Sequence, residues 1–183
     1  MKFKYCFPLV NVILLMTGLL ISTIVLSQNS SKDKKIIADS KTARSAFIST
    51  DGLMKNLFNS AYGYVIFPNI GKGGLGIGAA TGNGVVYEKG EMIGMANMKQ
   101  LTIGFQGGGQ AYREVIFLQG SDDLERFKEN KIEFSAQASA VAVKKGASAD
   151  VKYKDGVLIF TQTKGGLMYE ASIGGQKFTF KPF

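Results

Sequence analysis

The chain has 183 residues and a formal net charge of +8, with one cysteine, no histidine and no tryptophan. This length favours one domain with a sizeable core, and the basic balance favours anionic partners, although colloidal solubility alone is an equal explanation for it. The absence of histidine excludes Ser-His-Asp and Cys-His hydrolysis and ordinary zinc sites that use histidine.

The first residues resemble an export signal. Lys2 and Lys4 precede an apolar run from Leu9 to Leu26, and Ser27 closes a segment suited to signal peptidase. We predict residues 1–27 as a signal peptide cleaved after Ser27, and residues 28–33 as a flexible leader. Cleavage leaves a formal charge of +6, because it removes two lysines and no acid. The alternative is an uncleaved N-terminal membrane anchor, because the apolar run approaches the length of a membrane-spanning helix.

Two helices are predicted at the start of the exported part. In the first, from Lys34 to Ile48, spacings of three and four place four residues on one narrow, mostly apolar stripe: Ile36, Ser40, Ala43 and Phe47. The second follows Asp51, a predicted N-cap, and its apolar face would consist of Leu53, Met54, Leu57 and Phe58.

The densest positive region of the chain surrounds the first helix and consists of Lys32, Lys34, Lys35, Lys41, Arg44 and Lys55. Together with nearby apolar residues, these cations resemble an interfacial helix. Each cation near an anionic bilayer contributes on the order of 1 kcal/mol. The alternative is a helix whose stripe packs on the sheet while its lysines are merely solvated. Both descriptions hold together if the stripe faces inward and the lysines face lipid.

A glycine-dense block over residues 61–84 follows the helices. A strand over Tyr64 to Phe67 would end at Pro68, and Gly82-Asn83-Gly84 predicts a hairpin turn. Residues 71–76 satisfy the G-x-G-x-x-G pattern, but strand-like sequence follows instead of a helix, so dinucleotide binding is not expected. A nest of backbone amides near Lys72 that holds a phosphate headgroup is an alternative for this block.

The rest of the chain is mainly β in pattern. Strands are predicted over residues 85–89, 92–97, 101–106, 112–118, 132–142, 147–154, 157–163, 167–173 and 177–180, with a short helix from Ser121 to about Asn130. Turns are predicted at Lys89-Gly90, Asp155-Gly156 and Gly174-Gly175. The predicted fold class is α+β: a mainly antiparallel, strongly curved β-sheet or half-barrel with N-terminal helices and one short internal helix.

No spacing of acids in the sequence requires a catalytic carboxylate pair. Glu114 is the one acid worth singling out, because it directly precedes the apolar run Val115 to Leu118. Strand alternation places its side chain on the outside of the sheet, and pairing with Arg113 or Lys72 is the alternative.

The glycine-dense block resembles the core motif of the SYLF domain family. The matching residues are Ala61, Val65, Ile66, Phe67, Pro68, Lys72, Gly73, Gly74, Gly76, Gly78, Gly82 and Gly84. Further similarities are the glycine patch over residues 104–109, the alanine-rich segment over 136–146 and the Lys-Gly-Gly-Leu sequence at 164–167. The chain departs from the family at Glu114, where aspartate is typical, at Tyr169-Glu170, and in lacking the family's tryptophan.

The resemblance covers roughly residues 34–176, and residues 34–183 are predicted as one SYLF-like domain. It implies phospholipid binding with no cofactor and no reaction. Eukaryotic members bind phosphoinositides and some bind actin, which an exported protein would not meet; nucleic acid is not an expected partner either. By position, the family's basic N-terminal region falls on Lys34, Lys35, Lys41 and Arg44.

The sequence therefore predicts a non-catalytic domain that binds anionic phospholipid at a membrane surface in the cell envelope, whether periplasmic or extracellular. The predicted lipid contacts are Lys34, Lys35, Lys41, Arg44, Lys72, Gly73 and Gly74. One alternative is a structural or protein-interaction module of the envelope without lipid affinity. An enzyme would need a deep pocket that joins Glu114 to other acids.

Overall fold

A computed structural model describes residues 31–104, 110–132, 139–164, 171–172 and 174–183. The chain divides into a smaller unit, Met1–Lys35, and a larger unit, Ile36–Phe183. In the smaller unit, residues 31–35 are helical. The predicted signal peptide lies outside the described residues, as does the leader before residue 31. No helix among the described residues is both long and apolar enough to cross a bilayer.

Two helices begin the larger unit. Residues 36–50 form α1, which buries the predicted stripe through Ser40, Ala43 and Phe47. Helix α2, Met54–Ser60, buries Met54 and Phe58. Leu53 precedes α2 and is 45% exposed, so its predicted place on the apolar face is wrong.

Asp51 joins the two helices to a distant turn. Its Oδ1 accepts a hydrogen bond from the N–H of Leu53 at 3.2 Å, although Leu53 itself is the N-cap residue of α2. Its Oδ2 accepts from both the N–H and the hydroxyl of Ser148, at 2.8 Å and 2.7 Å. Burial alone would raise the pKa of Asp51, but these hydrogen bonds to the carboxylate outweigh it and lower the pKa. Asp51 therefore connects the start of α2 to the distant residue Ser148 through hydrogen bonds.

The described strands form a curved, open sheet of seven strands, and the class is α+β as predicted. The strands are β1 Gly63–Glu88, β2 Glu91–Gly104, β3 Gln110–Leu118, β4 Ser139–Ala142, β5 Val157–Thr163, β6 Ala171–Ser172 and β7 Gln176–Pro182. Their order is β6-β4-β5-β3-β1-β2-β7. Neighbours pair antiparallel except for β4 with β5, which are parallel. Helix α3, Ser121–Lys128, lies between β3 and β4 in the chain.

Strand β1 folds back on itself. Its first half pairs with β3 from Gly63 to Lys72, and its second half pairs with β2 from Gly76 to Glu88. The halves approach so closely that a Cβ added to Gly84 would lie 2.6 Å from the carbonyl oxygen of Ile66. The predicted turn at residues 82–84 is therefore wrong: these residues are extended, and their glycines serve close backbone contact instead.

Elsewhere the local predictions have mixed outcomes. Strand β5 matches the prediction, and the turns at Lys89-Gly90, Asp155-Gly156 and Gly174-Gly175 are confirmed. Residues 92–97 and 101–104 belong to the single strand β2, and residues 147–153 are not a strand. Much of the predicted strand over 132–142 and of that over 167–173 lies outside the described residues, as do the glycine patch at 105–109 and residues 165–170.

The sheet has a buried core on each face. One core contains Tyr112, Ile116 and Leu118 of β3 with Leu124 and Phe127 of α3. The opposite core contains Val115 and Phe117 of β3 together with residues of α1 and α2.

Glu114 is fully buried on the α3 side of β3, so the predicted outside position is wrong. The reason is that β3 is an inner strand with both faces covered, and alternation then no longer separates core from solvent. The carboxylate Oε2 accepts a hydrogen bond from Gln176 Nε2 at 3.1 Å, so its partner is neither Arg113 nor Lys72.

Candidate functional site

An open cleft lies where α1, the end of α2, the start of β1 and the β1–β2 turn meet. It encloses about 1060 Å³, and we call it the basic cleft. The residues that line it are Lys41, Arg44, Phe58, Asn59, Ser60, Ala61, Tyr62, Tyr64, Tyr87, Lys89, Gly90, Glu91, Met92 and Gln119.

Aromatic rings build one wall of the basic cleft. Tyr64 and Tyr87, from the two halves of β1, stack with ring centroids 4.7 Å apart and an interplanar angle of 18°. Phe58 of α2 meets Tyr64 edge-on at 5.2 Å. The fold-back of β1 produces this wall, because it brings the two tyrosines together from 23 residues apart in the chain. Close aromatic contacts of this kind make a well-packed wall.

Arg44 projects from α1 onto this wall. Its Cζ lies 4.9 Å from the centroid of the Phe58 ring, in cation–π geometry. Its Nε–H is buried and has no hydrogen-bond partner. A buried guanidinium donor without an acceptor is costly, so the position is favourable for an incoming anionic oxygen.

The turn between β1 and β2 forms the rim of the cleft. The ammonium of Lys89 lies 5.1 Å from the centroid of the Tyr62 ring. The hydroxyl of Tyr62 donates to Glu88 Oε1 at 2.7 Å, and this hydrogen bond is the main reason that the pKa of Tyr62 is raised. The N–H of Lys89 donates to the carbonyl of Tyr62 at 2.8 Å. The rim lysine is therefore held against an aromatic ring on an anchored turn.

The two stacked tyrosines remain neutral hydrogen-bond donors at physiological pH. Burial raises the pKa of Tyr64, and the nearby charge of Arg44 and a hydrogen bond from the Arg44 side chain only partly offset this. Burial likewise raises the pKa of Tyr87, whose hydroxyl lies 3.2 Å from the hydroxyl of Ser40.

Positive charge exceeds negative charge along the cleft. Lys41, Arg44 and Lys89 line it, against one acid, Glu91. Lys41 and Lys89 are exposed, whereas Arg44 is half-buried. In the part of the chain that the structure describes, no group of three or more histidine, cysteine or acidic residues could hold a metal ion. The arrangement is suited to binding an anion with an organic part that contacts the rings.

The structure brings two of the predicted lipid contacts, Lys41 and Arg44, into this cleft. Lys34 and Lys35 belong to the smaller unit, where both side chains are exposed. Lys72, Gly73 and Gly74 lie in β1 but not in the cleft lining. Lys72 is half-buried, and burial lowers its pKa.

Sequence reasoning missed Tyr62, Tyr64, Tyr87 and Lys89. Aromatic residues at strand positions predict core packing, and Tyr64 and Tyr87 are in fact largely buried. The sequence alone carries no signal that these residues form a site. They come close to the cations of α1 only because β1 folds back.

The comparisons with known proteins agree with the resemblance found in the sequence. Residues 99–182 match the family model described as Ysc84, Las17-binding protein actin regulator. Beta cell expansion factor A of Aeromonas veronii is 29% identical over 126 residues, which cover 68% of this chain and 48% of that protein. The chain thus spans about half the length of this curated relative, which is itself a SYLF-family protein. The predicted resemblance to the SYLF (Ysc84) family is therefore confirmed, with residues 99–182 carrying the family match.

Proposed function

We propose that this protein is a non-catalytic domain that binds anionic phospholipid at a membrane surface of the cell envelope. The observation that carries this proposal is Arg44, which lines a cleft together with Lys41 and Lys89 and whose buried Nε–H has no partner. A phosphate oxygen of a lipid headgroup would supply the missing acceptor.

The chemistry of the cleft wall supports a headgroup over a free metal or a small apolar molecule. Guanidinium and ammonium groups attract phosphate, and the buried, neutral Tyr64 and Tyr87 add no negative charge to the wall. The ring faces can contact the apolar glycerol part next to the phosphate. An open cleft suits a ligand that remains anchored in a bilayer.

Further predicted lipid contacts lie outside the basic cleft. Lys34 and Lys35 are exposed in the smaller unit and remain predicted lipid contacts, as do Lys72, Gly73 and Gly74 of β1. Each lysine near an anionic surface contributes about 1 kcal/mol, and salt screens this attraction. Binding that depends on several such residues should weaken steeply as the ionic strength rises.

The family supports the coarser part of this proposal. The SYLF (Ysc84) family is a non-enzymatic domain family associated with lipid or with actin regulation. Of the residues that line the cleft, only Gln119 lies within the matched segment 99–182. The lipid role of this cleft and the export of the protein are therefore our proposals, and the family description names the actin role of other members.

The test is co-sedimentation of the full-length chain with vesicles of neutral phosphatidylcholine and with vesicles containing phosphatidylglycerol, across a salt series. We expect binding to the acidic vesicles that fades with salt. Lys41→Glu combined with Lys89→Glu should weaken it by at least about 30-fold, from about fivefold for each lysine removed.

The matched control is Lys144→Glu combined with Lys145→Glu. This pair changes the net charge equally, and both lysines are exposed away from the cleft. Equal loss in both double variants would show that the cleft has no special role. Absence of binding to either vesicle would overturn the lipid proposal and favour the alternative, a protein-interaction module of the envelope.

A further inference from the structure

Helix α1 covers only part of one face of the sheet. On the second half of β1, Val85 and Tyr87 are buried in the same core as α1. Further along the same face, Asn83 is half-buried and Thr81 is exposed. Thr81 lies six positions before Tyr87 along the strand, which corresponds to about 20 Å. The sheet therefore continues well beyond the basic cleft with one face open to solvent.

Lysines dominate this open face. Lys99 of β2 lies directly opposite Lys177 of β7 in the strand register, and Thr81 of β1 lies opposite Lys99 on the other side. Lys181 follows on β7, opposite Met95. All three lysines are exposed. We call this surface the lysine face and define it by Thr81, Asn97, Lys99, Leu101, Lys177 and Lys181.

Among the described residues, the lysines of the lysine face have no acidic partner in an ion pair. Side chains directly opposite on neighbouring strands are about 5 Å apart at Cβ, where like charges destabilise the pairing. The residues that define the face include no acid, and none of the ion pairs found in the described ranges involves Lys99, Lys177 or Lys181. A sheet that keeps two lysines opposed is therefore suited to an external anion.

An exposed apolar side chain lies on the same face. Leu101 is 77% exposed and is two residues from Lys99 on β2, so both side chains point the same way. Cations next to an exposed leucine match the boundary between lipid headgroups and acyl chains. The lysine face has no aromatic residue on which nucleic-acid bases could stack, which disfavours a single-stranded nucleic acid as the occupant.

We propose that the lysine face is a second membrane contact, which lies along an anionic phospholipid surface with Leu101 entering the headgroup layer. This inference rests on the lipid-binding function proposed above and adds the orientation of the domain on the membrane. In this orientation the lysine face contacts the membrane surface, while the basic cleft binds a single headgroup.

Single tryptophans test the orientation, because the natural chain contains none. Leu101→Trp places a reporter on the lysine face, and Met92→Trp places one in the lining of the basic cleft. With vesicles containing phosphatidylglycerol, we expect a blue shift of the fluorescence from both variants of the full-length chain. A shift from Met92→Trp alone would overturn the proposed membrane contact of the lysine face and leave the proposed function intact. Failure of both variants to shift or to sediment with vesicles would overturn both proposals.

A single charge reversal separates binding from folding. Lys99→Glu replaces an opposed lysine pair by a cross-strand ion pair with Lys177, so the melting temperature should rise slightly. Affinity for acidic vesicles should fall at least about fivefold, from the loss of one cation near the bilayer. Lys144→Glu is the control with the same change in net charge. An affinity loss no greater than in this control would overturn the proposal.

Discussion

Arg44 and Glu114 each have a buried polar atom without a hydrogen-bond partner, but they lie in opposite surroundings. Arg44 lines an open cleft at the surface of the larger unit, although its Nε–H is itself buried. Oε1 of Glu114 lies in the sealed core on the α3 side of the sheet, and the side chain is fully buried. A group in the wall of an open cleft can obtain a partner from outside after a shift of its side chain, whereas a sealed one can only change its own charge.

The comparison separates binding from stability. In the sealed core, burial raises the pKa of Glu114 to about 7, and the hydrogen bond from Gln176 only partly offsets this. Arg44 lies instead in the wall of the open cleft. Changes at the sealed site should therefore affect folding, and changes at the open site should affect ligand binding.

The largest effect on stability is expected from Gly84→Val, which would force the two halves of β1 apart. A Cβ at residue 84 would lie 2.6 Å from the carbonyl oxygen of Ile66 and 2.7 Å from the Phe67 ring. Because a backbone group must move, we expect a loss of about 4 kcal/mol in the free energy of unfolding, above the usual cost of overpacking. Urea denaturation of the full-length chain measures this loss.

Gly73→Val is the matched control for this substitution. Gly73 also lies in β1, but it is exposed, and a Cβ there would have no neighbour within 4 Å. Its stability should change by no more than about 0.5 kcal/mol. Equal destabilisation by both substitutions would contradict the close approach of the two halves of β1.

The next effect is a dependence of stability on pH that Glu114→Gln should remove. Below the ordinary pKa of 4.5, the carboxyl is neutral in both the folded and the unfolded state. Between 4.5 and about 7, the folded state keeps a proton that the unfolded chain has released, so stability falls as the pH rises. The full interval corresponds to about 3 kcal/mol. Glu114→Gln should therefore be more stable than the natural protein at pH 8, by up to this amount.

Urea denaturation at pH 4.5 and pH 8 measures this difference. The two proteins should be nearly equal at pH 4.5, where Glu114 is protonated. Glu91→Gln is the control, because it makes the same substitution at an exposed position. A natural protein as stable at pH 8 as at pH 4.5 would argue against a buried, largely unpaired carboxyl.

Features set by local periodicity could be predicted from the sequence. The stripe of α1 has helical spacing, and β5 is an apolar run that begins directly after the Asp155-Gly156 turn. The folding back of β1 could not be predicted, because its glycine-rich middle has few side chains from which to read a pattern. Gly82-Asn83-Gly84 is typical of a turn, yet the contacts with Asn69 and Ile66 keep it extended.

Of the basic cleft, only the residues on the first helix were predicted from the sequence. Lys41 and Arg44 are visible as cations on a predicted helix, whereas Tyr64 and Tyr87 meet only after β1 folds back. The burial of Glu114 depends on cover from α3 on one face and from α1 and α2 on the other. Such cover depends on contacts between distant segments, which strand alternation does not reveal.

The smallest of these effects is expected from Arg44→Lys. The substitution keeps the positive charge in the basic cleft but removes the buried Nε–H and the planar group over Phe58. If the orphaned donor binds a phosphate oxygen, affinity for vesicles containing phosphatidylglycerol should fall about tenfold, or about 1.4 kcal/mol, measured by sedimentation at fixed salt. The salt dependence should stay nearly unchanged, because the number of cations is the same. Lys41→Arg, on an exposed neighbour in the same cleft, should leave affinity nearly unchanged. Undiminished affinity of Arg44→Lys would mean that the cleft attracts lipid by charge alone. The unpaired Nε–H of Arg44 would then have no more role in ligand binding than the unpaired Oε1 of Glu114.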